Sequence, residues 1–332
     1  MKVVAIAAVA MLSAAVALRA QGSAQTTPDS DRAAALLKAV QAGLAEPKSD
    51  ERDTRLERLV YQLDRLPDAA ALDQKISAHQ RMGIYYRNND IDAGIVTHAT
   101  WIIDAAKKCT PDQRRTYTSA IVSAYLNMAQ TWAGQGQTAR ALALLRRVPT
   151  DLPDIPSAVK SVRPDLERLE LVGTAAAPIT APRWLNMPAG ATTLDLKGQV
   201  TLLEFSAHWC IPCKKSYPAV TRLLERFGHQ GFRAVMATEL YGYFERETDL
   251  PAATEIDRDR AYFAGYHLDV PIAINDDASQ QENPNSVHYK VGGIPQIQVI
   301  DRRGIIRFIM VGYSDENEAA IATIVESLIK EK

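Results

Sequence analysis

Trp209-Cys210-Ile211-Pro212-Cys213-Lys214 decides the reading of this chain. The stretch holds two of the three cysteines, two residues apart. The apolar run Gln199 to Phe205 leads in and predicts a buried strand of a parallel sheet. The polar–apolar alternation from Lys214 to Phe227 leads out and predicts a helix ended by Gly228. The pair therefore belongs at a strand-to-helix turn, with Cys210 just before the first helical turn.

That position carries chemistry. Backbone N–H groups without partners and the positive end of the helix dipole favour a thiolate there. A thiol of pKa about 8.5 is roughly 3% ionised at pH 7, and lowering the pKa to about 7 makes it about half ionised. Part of the gain is lost because a less basic thiolate is a weaker nucleophile. Cys210 is the candidate nucleophile, which requires its sulfur to meet solvent. Cys213, one turn inside the helix, is placed to reach back and resolve a mixed disulfide. Pro212 suits a helix start, where its missing N–H costs nothing. Two plainer readings compete. A structural disulfide across two residues would close a tiny loop and constrain the unfolded chain little. A zinc half-site would need a second pair of ligands, and the sequence offers no second cysteine pair and no nearby Cys/His cluster. No metal is expected, and no cofactor beyond a redox-active Cys210–Cys213 disulfide. The strand before and the helix after favour redox chemistry.

The segment Leu202-Leu203-Glu204-Phe205-Ser206-Ala207-His208-Trp209-Cys210-Ile211-Pro212-Cys213-Lys214, with Pro218 beyond it, resembles the active-site segment of the thioredoxin superfamily. It is most similar to the extracytoplasmic branch related to TlpA and ResA. The resemblance covers roughly residues 178 to 332. It implies a C-terminal thioredoxin-like α/β domain, a central mixed sheet flanked by helices. Glu204 matches the buried acid of that family, placed to take the proton from Cys213. Pro218 matches the proline that kinks the active-site helix. Ile294-Pro295, within Val291-Gly292-Gly293-Ile294-Pro295-Gln296, matches the cis-proline that faces the disulfide. By the same resemblance Trp209, Pro212 and the Ile294 backbone meet substrate. The implied activity is reduction of disulfides in exported proteins, recharged by a membrane or periplasmic electron donor. An oxidase or isomerase would use the same residues. A partner-binding adaptor, with the N-terminal half as its working part, is a third reading. The chain departs from the family pattern at Ser206, where an aromatic is usual, at Gln296, where Thr is common, and at the dipeptide Ile211-Pro212.

The remaining chain frames this domain. The 38 basic and 39 acidic residues give a net charge of −1, which offers no electrostatic case for nucleic acid. Apolar residues make up 47% of the 332, enough for globular cores. Residues 1–24, with Lys2 before the apolar run Val3 to Leu18, read as a secretory signal peptide and so a periplasmic or other extracytoplasmic address. A retained anchor over residues 3–18 is the alternative, though that run is short for spanning. Residues 29–173 show three-and-four apolar spacing, as in Leu56-Leu59-Val60-Leu63-Leu66. They predict a helical domain of hairpins, similar to tetratricopeptide pairs around Ala124 to Leu145 but without a strict repeat. Such a surface suits a protein partner or simple packing. Pro111 to Ala133 reads as one helix, and Asp165 to Leu171 as a short one amid prolines. Cys109 reads as a small buried apolar residue, or else as a thiol partner for Cys210 or for another chain. His208 reads as a partly exposed rim residue, or else as a group that tunes Cys210. Arg183 to Leu196 predicts a hairpin. Residues 239–270 form an aromatic-rich insert, either lining a substrate groove or packing on the sheet. Asp277 to Tyr289 predicts a helix disturbed by Pro284, and Asp315 with Glu318 a capping-box start for the last helix.

Overall fold

The computed structural model of the chain describes residues 28–276 and 283–331. The expected signal peptide lies outside them. Among the described residues no helix is long and apolar enough to cross a membrane. The chain forms two compact units that part between Arg81 and Met82.

The first unit is helical. Helices α1 (Pro28–Leu44) and α2 (Asp50–Asp64) lead to α3 (Asp68–Asn88), in which the division falls. Ser49 caps α2 by accepting the Arg52 N–H at 3.2 Å. The apolar stripe read from the sequence is the buried one: Val40, Leu56, Val60 and Leu63 are all inside.

The second unit combines the later helices with the sheet. Helix α4 (Asp92–Lys108) is followed by α5 (Pro111–Thr116) and α6 (Thr118–Gly134). The expected single helix from Pro111 breaks at Tyr117, which carries non-helical dihedrals between the two. Helices α6 and α7 (Thr138–Arg146) form a hairpin whose turn needs Gly136 at φ 77. The Arg140 guanidinium lies 3.8 Å over the Trp132 ring and closes that hairpin. After the short α8 (Val148–Asp151), α9 runs Pro156–Leu169, longer than the expected Asp165 start. Pro156 begins it because a first-turn residue needs no N–H, and Pro164 is tolerated inside. The change from helix to strand near residue 174 thus lies within this compact unit. Gly173 N–H reaches Ile306 O at 2.7 Å and carries the chain onto the sheet.

The sheet has six strands in the order β10-β9-β4-β5-β8-β2. Strands β4 (Val200–Phe205), β5 (Phe232–Glu239) and β8 (Ile272–Asn275) are parallel. Strands β9 (Gln296–Ile300) and β10 (Ile306–Val311) complete it antiparallel, so the expected mixed sheet is present. Strand β4 sits centrally and is buried at every residue, Thr201 and Glu204 included, as its mainly apolar run leads one to expect. The expected hairpin from Arg183 to Leu196 is instead split. β1 (Ile179–Thr180) pairs with β3 (Thr193–Leu194), while β2 (Arg183–Leu185) pairs with Ile272–Ile274 and supplies the sheet's other edge. Asn186 turns the chain off that edge at φ 57, and its amide donates to Val270 O at 2.9 Å.

Helix α10 (Ile211–Phe227) follows β4. Gly228 caps it, as expected, though at φ −55 rather than in a left-handed conformation, and a 3₁₀ turn follows until Gly231, at φ 89, releases the chain into β5. In the insert, β6 (Tyr243–Phe244) pairs with β7 (Glu247–Thr248), and α11 spans Ala252–Gly265. Helix α12 is Pro284–His288. Pro284 starts that helix rather than disturbing it, because Asn283 caps it by accepting Asn285 N–H at 2.9 Å. The closing helix α13 (Asp315–Lys330) begins one residue earlier than expected, with Ser314 N–H donating to Asn317 Oδ1 at 3.2 Å. The Glu318 carboxylate is taken instead by Arg222, at 2.8 and 2.6 Å.

Arg302 ties the last turn of α13 to the β9–β10 hairpin. Its guanidinium donates to the carbonyls of Leu328 (3.1 Å), Ile329 (2.9 Å) and Glu331 (2.9 Å), and to Gln230 O at 3.1 Å. Those carbonyls have no intrahelical donor. Arg302→Ala should lower stability by about 1–3 kcal/mol, and Arg302→Lys should recover only part, since an ammonium cannot span the fork. A denaturant midpoint shift within error of wild type would show the four bonds to be idle.

Candidate functional site

The central strand β4 ends at Phe205, and five residues later Cys210 caps α10. Cys210 and Cys213 form a disulfide. The Cys213 N–H donates to Cys210 Sγ at 3.2 Å, so the leading sulfur occupies the place of a capping oxygen. Pro212 sits in the first turn, as expected. The Ile294–Pro295 bond is cis. Pro295 O accepts the Gly312 N–H at 2.8 Å, which anchors the loop to the end of β10.

One expectation is corrected. Cys210 retains only 3% of its surface, because in the oxidised pair its sulfur turns inward to bond Cys213 and accept its N–H. The open groups are its neighbours: Ile211 is 70% exposed and Trp209 46%. Two large apolar side chains thus stand in solvent around a sunken disulfide, an arrangement that suits an approaching polypeptide.

Beneath the pair lies Glu204, fully buried on β4. Ser216, one turn after Cys213 and equally buried, is 2.6 Å from Glu204 Oε1 and 2.8 Å from Cys213 O. Burial pushes the Glu204 carboxyl up from 4.5 to about 8, against a smaller downward pull when the Ser216 hydroxyl donates to it. The hydroxyl has one proton, and Cys213 O can only accept. All three groups are satisfied when Glu204 is the neutral acid and donates to Ser216. Glu204 Oε2 has no hydrogen-bond partner, which leaves an acceptor next to the second cysteine's turn. Ser216 was not singled out in the sequence. Its signal was a hydroxyl three residues after Cys213, on the same helix face.

Ser206, where an aromatic was expected, is buried and hydrogen-bonded to the Tyr217 hydroxyl. Tyr217 fills the space from α10, packed against Tyr262, Phe263 and Tyr266 of the insert. The other departure, Gln296, is buried and donates to Tyr289 O at 2.8 Å. His208 is buried rather than on the rim. It stacks on Phe244 at 4.6 Å, because the insert folds over the turn that carries it. Burial first, and Lys214 second, hold its pKa below the ordinary value, so it is neutral at pH 7. Tyr241 of the insert meets the Trp209 ring edge-on at 5.6 Å. The insert's aromatics therefore pack on the site's supports. Cys109 is buried at the end of α4 and lies outside the disulfide.

Glu204 makes a pH prediction with a definite sign. Its folded-state pKa is raised, so the stability it contributes is whole below about pH 4.5 and is lost as pH rises towards about 8. Glu204→Gln should flatten the fall in stability over that window, as read by denaturation at several pH values. An unchanged slope would mean that Glu204 does not titrate there.

No family model matches the chain. It is 28% identical to the thioredoxin-like protein YneN of Bacillus subtilis (strain 168) over 124 residues, 37% of this chain and 63% of that protein. It is 26% identical to the thiol:disulfide interchange protein DsbE of Pseudomonas fluorescens biotype C over 125 residues, 38% of this chain and 58% of the other. The chain thus spans less than two thirds of the length of either. Among solved structures, a thiol-disulfide isomerase from Corynebacterium glutamicum aligns at a TM-score of 0.37 and 17% identity, over 48% of this chain and 98% of that one. With a central β4, a capping Cys210 and a cis Ile294–Pro295 bond, the C-terminal part of this chain is a thioredoxin-like domain with homologues among thiol:disulfide interchange proteins.

Proposed function

We propose that this chain is a thiol–disulfide oxidoreductase that reduces disulfides of exported proteins in an extracytoplasmic compartment. The observation that carries the reading is the Cys210 sulfur, bonded to Cys213 and receiving its N–H at the start of α10. In the reduced chain that N–H and the helix dipole stabilise a Cys210 thiolate. The thiolate attacks one sulfur of a substrate disulfide, and the other substrate sulfur leaves as a thiolate. When Glu204 is ionised, Cys213 gives its proton to Glu204 Oε2 and attacks the mixed disulfide at Cys210. The second substrate sulfur then leaves. The substrate gains two electrons, and Cys210–Cys213 returns to the disulfide. A donor dithiol in the membrane or periplasm restores the pair.

Trp209, Pro212 and the Ile294 backbone meet substrate, and Pro295 limits how closely it approaches. The exported address rests on the signal-like residues 1–24 and on the relatedness to DsbE-type proteins. A helical domain over 29–173 offers a site for a protein partner. The domain assignment of 178–332 to the redox function follows the same lines.

Cys213→Ser should accumulate mixed disulfides with envelope proteins through Cys210, and Cys210→Ser should accumulate none. Equal trapping by both would reverse the assigned roles. In stopped flow, Glu204→Gln should slow resolution of the mixed disulfide by about 10²-fold near pH 7. A resolution rate equal to wild type would remove Glu204 from the proton transfer. A reduction potential above about −150 mV would reverse the direction and make the chain an oxidant.

A further inference from the structure

Asn127 and Gln130 lie three residues apart on α6 and so share a face. Asn127 commits its carbonyl to Arg87, at 3.2 Å, and Gln130 its amide to Asp165, at 3.1 Å. An amide donor on Asn127 and an acceptor on Gln130 are left over. With Arg87, both line a groove of about 340 Å³ whose opposite wall is Pro212, Gly293 and Ile294. Pro212 lies between the two cysteines in sequence, so this groove reaches the turn that carries the disulfide.

The two walls are held together within one compact unit. Asp92 N–H donates to Glu316 at 3.3 Å, and Lys215 pairs with Asp90 at 3.4 Å. A Cβ on Gly134 would come within 2.8 Å of the Asn317 amide, and one on Gly292 within 2.7 Å of the Arg168 guanidinium. The helices therefore press on the loop that carries Ile294.

The groove's chemistry selects an occupant. Lys215 neutralises Asp90. Burial holds the Asp92 carboxyl above its usual range, and Gln135 donates to it at 2.9 Å. A cationic ligand gains little there, and Arg87 remains as a charged donor. Uncharged donors and acceptors three residues apart, with glycine on the facing wall, match the alternating N–H and C=O of an extended main chain.

We propose that this groove seats the polypeptide flanking the substrate cysteine, and that Asn127, Gln130 and Arg87 read its main chain. The helical segment then sets specificity: cysteines in extended, accessible stretches are exchanged in preference to those in compact surroundings. This rests on the exchange reading above.

The test uses the full chain with Cys213→Ser and a synthetic peptide with one cysteine, activated as a mixed disulfide, and benzoylphenylalanine two residues away. Once the peptide is captured on Cys210, irradiation should cross-link it within Thr118–Gly134. Cross-links confined to Tyr241–Phe244 would overturn the groove while leaving exchange intact. Failure to capture the peptide at all would remove exchange, and this inference with it. A second measurement compares oxidation of the reduced chain by a peptide disulfide with its oxidation by hydroxyethyl disulfide. Asn127→Ala with Gln130→Ala should lower the ratio of the two rates about tenfold. A ratio equal to wild type, or equal loss on both substrates, would overturn the specificity role.

Discussion

One hydrogen bond organises the site: the Cys213 N–H to the Cys210 sulfur at the amino end of α10. A sulfur there sits where a helix would otherwise recruit a serine or aspartate oxygen. Placing it requires a strand that ends at the right depth, and β4 does this from the middle of the sheet, paired with β5 on one side and β9 on the other. The same central position buries Glu204, so the strand that leads to Cys210 also holds a buried carboxyl that reaches Ser216 of the active helix. The two features have one cause, and neither is adjustable without the other.

Much of this was legible in the sequence because it depends on local pattern. The apolar run of β4, the helical alternation of α10 and the strand after Pro295 each carry a period that one stretch displays by itself. Glu204 stood out as one acid among apolar neighbours. What stayed hidden depends on contacts between distant elements. Ser216 gains meaning only when α10 lies over β4, and the Ser206–Tyr217 pair only when helix and strand meet. Arg183–Leu185 is too short to show alternation, so its place at the sheet edge follows from the need to pair Ile272–Ile274. Ser314 rather than Asp315 opens α13, a one-residue offset that residue preferences cannot resolve.

The insert shows where composition leaves two readings open. Its aromatics suited either a groove or packing, and they pack on Tyr217, His208 and Trp209. Buried Glu255 fixes the insert's first turn by accepting the N–H groups of Tyr241 and Gly242 at 2.7 and 2.9 Å. The rings thereby brace the turn that carries the cysteines, and the open channel lies on the other side, among side chains that look unremarkable in the sequence.

The close fit of α6 and α9 against the sheet domain bears on how the protein can be dissected. An investigator following relatedness would excise residues 178–332 as a self-sufficient catalyst. That cut would strip Arg168 from Gly292 and bare Asn317 where Gly134 covers it. The fragment would acquire a raw flank next to its own disulfide. Its promiscuity or its insolubility would then belong to the scissors and not to the native protein.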